Sequence, residues 1–281
     1  MTDNLIPSQL VLEPRDVHFD WTGLPLSWIP GQPHASHIIN VLHLLLPEGE
    51  RWFAKTFSQA LPYITDERLR DDVTGFIAQE SIHAEAHQGV LDYFAEHGLD
   101  TTRYIRHLEW IFRHLLGETA TRGELAEHVA TVAAIEHFTA VLGHWVLNAS
   151  ELDDAHAHPV MLDLLRWHGA EEVEHRSVAY DVMCHLDPSY TRRIRAFLIA
   201  GPLLFWLWVR GARFLLRADG ERLTMRVYLD ATRRGLLPSP RALGLSALRY
   251  FRPGYHPVQE ASTRQAIAYL GTSPAARAAA G

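Results

Sequence analysis

Along most of the chain, apolar residues recur at helical intervals between short breaks marked by proline or glycine, and no run suggests a strand core. The stretch ITDERLRDDVTGFIAQESIHAEAHQGVLDYFAEHGLD predicts a long helix over 66–96, capped by Asp66 and stopped by Gly98. Before it, EGERWFAKTFSQAL predicts a helix that starts after Pro47 and ends near Pro62. After it, TTRYIRHLEWIFRHLLG gives a shorter helix closing at Gly117. An alanine-rich helix with little polar face then covers 122–148, and another runs over 159–186 to Pro188. Residues 1–47 carry Pro7, Pro14, Pro25, Pro30, Pro33 and Pro47, with Trp21 and Trp28 among them, and read as an extended arm or cap. The expected fold is therefore all-α: a helical bundle at 48–188, with accessory helices and the proline-rich arm.

Residues 189–281 read as an accessory hydrophobic helix and an irregular return segment packed on the same domain, with fraying at the far end. Within them, 196–209 is almost uninterrupted apolar sequence. It falls short of the roughly 20 residues a bilayer crossing takes, holds Gly201 and Pro202, and breaks at Arg210 and Arg213. A buried helix, or a homodimer contact through 196–218, is the first reading; peripheral membrane contact is the second and a span the last.

Composition narrows the class. The chain has 281 residues, 47% of them hydrophobic and 21% charged, which excludes a disordered or collagen-like polymer. A formal charge of −7, from 26 basic and 33 acidic residues, argues against a general nucleic-acid binder and leaves only a local patch at Arg192, Arg193 and Arg195 for phosphate or an anionic surface. The lone Cys184 rules out an internal disulfide and a cysteine-rich zinc module. The opening residues show no targeting pattern, so a cytoplasmic location is expected, with membrane association as its variant.

The chain also has 18 histidines, and their positions carry the chemistry. QESIHAEAH sets Glu80, His83 and His87 on one helical face, and WHGAEEVEH does the same for His168, Glu172 and His175. Both contain Glu-x-x-His. Glu50 and Glu136 are further carboxylates in apolar surroundings, where an unpartnered charge is costly and a metal ion is a natural remedy. Glu50 lies 30 residues before Glu80, and Glu136 lies 36 before Glu172; either interval suits an antiparallel helix pair that brings its carboxylates to one height. One Glu from each of two helices and Glu-x-x-His from each of two more is the donor arrangement of dinuclear carboxylate bundles.

Glu50, Glu80, His83, Glu136, Glu172 and His175 form the expected basic metal shell, with His87 and His168 as further ligands or as groups orienting a carboxylate. Glu48 rivals Glu50 in register, although Phe53 and Phe57 favour Glu50. Thr139 is a candidate for hydrogen bonding to oxygen or water, against ordinary packing. Glu85, Glu171 and Glu174 point off the face, towards salt bridges or solvent, and His137 and His144 read as packed or surface residues. The hard donors suit two iron ions first, then manganese or a mixed manganese–iron pair, with zinc after them.

The segments PEGERWF, QESIHAEAHQ, IEHFTA, WHGAEEVEHRSVAYDV and FRPGYHP, spread over about 15–260, resemble a ferritin-like family described as predicted metal-dependent hydrolases. By that resemblance the same six residues are metal ligands, with His87 and His168 as additional candidates. The His-x-x-x-Glu-x-x-His form at 168–175 is also similar to di-iron N-oxygenases, over that short motif alone. Three functions follow as expectations. The first is an oxidase or oxygenase that uses dioxygen and an electron donor to oxidise a small apolar substrate. The second is a hydrolase using metal-activated water, and the third is a non-catalytic metal-binding or storage protein.

Overall fold

A computed structural model describes residues 10–115, 117 and 119–280. Among the described residues all regular structure is helical, as the pattern predicts. The helices are α1 (Pro33–Ala60), α2 (Glu67–Glu96), α3 (Thr102–Leu115), α4 (Arg122–Asn148), α5 (Ser150–Asp154), α6 (Pro159–His175), α7 (Val178–Leu186), α8 (Tyr190–Ala218), α9 (Met225–Arg233), α10 (Pro240–Tyr250), α11 (Thr263–Leu270) and α12 (Pro274–Ala279).

Local chemistry fixes several ends. The Asp66 carboxylate accepts from Leu69 N–H to start α2, and Gly98, at φ 84°, takes the left-handed conformation just beyond its end. Thr121 and Glu124 close a reciprocal capping box on α4, whose bounds match those expected.

Three expectations change. Helix α1 begins at Pro33, well before Pro47, which sits inside it. Pro47 removes one ladder donor, but PHASHIINVLHLLL buries Ile38, Ile39, Val41, Leu44 and Leu45, and that packing holds the helix through the proline. The predicted 159–186 helix is two helices, broken after His175. There the buried Arg176 side chain bonds to Val173 O within α6 and to Pro257 O and Thr263 Oγ1 beyond it, anchoring the C-terminal segment. That segment is ordered rather than irregular or frayed: α9 to α12 form, and Asp163 of α6 accepts from Ser273 Oγ and Ala275 N.

Helices α1 and α2 pair, α4 lies on α6, and α1 also contacts α4, so four long helices enclose one interior. Where α4 crosses α6 glycine meets glycine: a Cβ on Gly143 of α4 would lie 2.4 Å from Gly169 O of α6. The arm runs along α2, with Leu12 against Gly75, Trp21 over Gly89 and the Tyr93 hydroxyl donating to Leu24 O. Both α4 and α8 are long and apolar enough to cross a membrane by length and composition; α4 is largely enclosed, whereas only 28% of the most apolar part of α8 is buried.

Candidate metal centre

The bundle interior collects carboxylates and imidazoles from α1, α2, α4 and α6. Glu50, His83, His168 and Glu172 form one group, and Glu80, Glu136, Glu172 and His175 form another; in each, one ligand atom per residue lies within 4.8 Å of every other. Glu172 belongs to both. All seven residues are buried.

Their unmet polar atoms converge. Both oxygens of Glu50, Glu80 and Glu136, together with Glu172 Oε2, His83 Nδ1 and His175 Nε2, have no hydrogen-bond partner. Orphaned groups in this number carry a large desolvation penalty unless a cation meets them. His175 Nε2 lies 3.3 Å from both Glu80 Oε1 and Glu136 Oε2, and His168 Nε2 lies 3.3 Å from Glu50 Oε1. Atoms held roughly 2.0–2.2 Å from one ion are themselves about 3–3.5 Å apart, so the spacing fits. Two divalent ions also balance the charge of four carboxylates.

Without an ion, protons take that role. Burial, together with neighbouring carboxylates, pushes Glu50 and Glu80 well above the usual carboxylate range and Glu136 up to about 7. Although burial opposes it, His83 rises to about 10 because Glu171 accepts a hydrogen bond from its ring and the carboxylates of Glu172 and Glu80 stand close by. The His175 imidazolium is likewise favoured by Glu172 and Glu136 against the same opposition.

A supporting shell fixes both histidines. His83 Nε2 donates to Glu171 Oε2 at 2.9 Å, leaving Nδ1 for the centre. Trp167 Nε1 also donates to Glu171, and the indole meets the His83 ring edge-on at 5.1 Å. His175 Nδ1 donates to Gln79 Oε1, leaving Nε2 for the centre, and Gln79 Nε2 in turn reaches Glu174. Arg15 of the arm closes both branches, with Nη1 2.7 Å from Glu171 Oε1 and 2.9 Å from Glu174 Oε2. Such outer partners set the tautomer and angle of a ligand histidine. Glu171 and Glu174 thus form the expected salt bridge but lie buried rather than in solvent. Arg15 and Gln79 are absent from the expected set.

The remaining candidates separate cleanly. His168 joins a ligand group, whereas His87 stands behind it: His87 Nε2 is 2.8 Å from His168 Nδ1, and its Nδ1 is 2.7 Å from His43 Nδ1. Burial keeps all three imidazoles neutral, with His43 lowered to about 3. If His168 Nε2 accepts an ion, its Nδ1–H donates to His87 and His87 Nδ1–H donates to His43, so one ligand bond orders the whole chain. Glu50, not Glu48, is the buried carboxylate; Glu48 pairs with Arg51 at the surface. Thr139 Oγ1 donates to Glu136 O within α4, a packing role. His137 packs against Tyr250 and Tyr255, and His144 is exposed beside Asn148. Glu85 is also exposed.

The model of a family described as a predicted metal-dependent hydrolase matches residues 13–261. No curated protein and no solved structure matches the chain.

Proposed function

Because the chain belongs to that family of predicted metal-dependent hydrolases, we propose that it is an enzyme built on a dinuclear metal centre, and that its reaction is hydrolysis by metal-activated water. The observation that carries the dinuclear reading is Glu172, shared by two four-donor groups whose orphaned atoms face one interior. Two ions held by these groups would supply a water of lowered pKa and polarise the substrate oxygen. The chain's own residues do the rest. Glu50, Glu80, Glu136 and Glu172 would hold and neutralise the ions, and His83, His168 and His175 would complete the set. Glu171, Gln79 and Arg15 keep two of those imidazoles aimed, while Phe57, Phe76 and Trp167 keep bulk water from the ligands.

A second reading, dioxygen activation with an external electron donor, draws on the donor set. Four carboxylates and three imidazoles without a thiolate suit iron or manganese, and the site is walled by apolar helices. Metal analysis of the purified protein tests the shared basis of both. We expect two ions per chain, and Glu172→Gln should lose both rather than one. A single ion, or retention of both by the variant, would overturn the dinuclear reading. Manganese- or zinc-loaded protein that cleaves esters or amides under anaerobic conditions supports hydrolysis. A ferrous form that bleaches or colours on mixing with oxygen, with no such cleavage, supports the second reading instead.

A further inference from the structure

Helix α8 turns two different faces to its surroundings. Ala196, Phe197, Ala200, Leu207, Ala212 and Leu215 are buried, on the side where the helix meets α1 and α4. On its outer side Leu198, Ile199, Pro202, Phe205 and Trp206 fall on one helical stripe, with Ile199 62% and Phe205 71% exposed. Trp110 of α3, also exposed, widens the stripe: the His107 ring lies 6.3 Å from Trp206 and 6.4 Å from Trp110. An exposed apolar stripe of this kind, extended to Trp110 through the His107 ring, marks a contact site.

The charges around it select the partner. Residues 190–218 hold arginines at 192, 193, 195, 210, 213 and 217 and no Asp or Glu. Arg195 is exposed before the stripe, where it pairs with Glu127; Arg213 and Arg217 are exposed beyond it and make no ion pair among the described residues. A cleft of about 590 Å³ opens at that second end, bordered by Arg213, Arg217 and Arg222, with Glu221 on its rim facing His34. Arg210 stays at the stripe's edge, 5.4 Å over the Trp206 ring.

We propose that this face of α8 docks in the plane of an anionic lipid bilayer, the stripe entering the acyl boundary while the flanking arginines meet lipid phosphates. Helix α8 has the length and composition of a span, but its opposite face is committed to the protein and its exposed stripe, 198–209, rises only roughly 17 Å at about 1.5 Å per residue against a hydrocarbon core of about 30 Å, so the helix lies on the membrane rather than across it. A second copy fits less well. Two α8 faces paired about a two-fold axis would set arginine ends against arginine ends with no carboxylate in either helix to answer them.

Co-sedimentation of the full-length protein with phosphatidylcholine vesicles, with and without phosphatidylglycerol, tests this docking independently of the metal reading. Binding is expected to the anionic vesicles, roughly tenfold weaker without phosphatidylglycerol or in high salt. Leu198→Asp with Phe205→Asp should abolish it while metal content stays unchanged. Should that variant not fold, Arg213→Gln with Arg217→Gln changes only exposed side chains and should weaken binding several-fold. Brominated acyl chains should quench tryptophan fluorescence in the natural chain and less so in Trp206→Phe. The proposal falls if the natural chain does not sediment with anionic vesicles, or sediments equally with both vesicle types. It falls equally if the protein is a dimer that the aspartate variant splits and that binds no lipid.

Discussion

Arg15 illustrates how much of the centre depends on residues that never face it. Its guanidinium bridges Glu171 and Glu174, and through them it holds His83 directly and His175 by way of Gln79. Arg15→Ala should therefore loosen a ligand in each donor group and weaken metal binding about 10–100-fold. Arg15→Lys should recover only part, because an ammonium cannot replace a planar fork spanning two carboxylates. Ion release to a chelator and the visible spectrum of the cobalt-loaded protein read this out; a spectrum and release rate unchanged in Arg15→Ala would remove the positioning role. The clustering of the donor residues was legible in the sequence, because Glu-x-x-His at i, i+3 is a local pattern that a helix converts directly into geometry. Arg15 was not, since it lies 156 positions from Glu171 and no local spacing joins them. A signal did exist: Glu171 and Glu174, at i, i+3, add two more acids to a segment that already carries Glu172, a density of negative charge that calls for a nearby cation.

At the level of elements, the contact between α4 and α6 sets the depth of the cluster, because α4 brings Glu136 and α6 brings His168, Glu172 and His175. Gly143 and Gly169 permit that contact. A Cβ at Gly143 meets backbone, which cannot rotate away, and one at Gly169 would lie 2.8 Å from Val146 Cγ1 and 2.9 Å from Gly143 Cα. Gly143→Ala should cost about 1–3 kcal/mol despite alanine's better helix propensity, read as a fall in Tm of several degrees. Gly244→Ala in α10, where a Cβ meets nothing within 4 Å, should leave Tm unchanged or raise it slightly, which isolates the clash from the propensity. Equal Tm values for the two variants would mean that the helices part without cost. Helices with a capping residue ahead of a periodic pattern, such as α2 and α4, were legible to within a residue. The start of α1 and the break after His175 were not. In the first, tertiary burial overrides Pro47; in the second, Arg176 gathers carbonyls from a segment far along the chain.

For the whole molecule, the centre links metal, protons and stability. Glu136 moves from 4.5 to about 7 on folding, so the metal-free folded state holds a proton that the unfolded chain has lost, and its stability falls as pH rises from about 4.5 towards 7. His83 acts in the same direction: its contribution is complete below 6.5 and is lost as pH rises through about 10. An incoming ion must displace these protons, so affinity should climb with pH, and the gap in Tm between metal-loaded and chelator-treated protein should be wider at pH 8 than at pH 5.5. A gap independent of pH would show that the carboxylates do not exchange protons for metal. The all-α class and the meeting of four helices were readable from periodicity, while the ordered C-terminal helices were not, because α11 and α12 are short and stand on contacts with α6. The arm has a further consequence, in the order of synthesis. Arg15 is made more than 150 residues before its partners on α6, an interval of roughly 8–30 s at 5–20 residues per second. Through that interval Arg15 lacks both of its carboxylate partners, and the full donor set exists only once α6 has been made, so any ion the centre takes would be captured late in maturation.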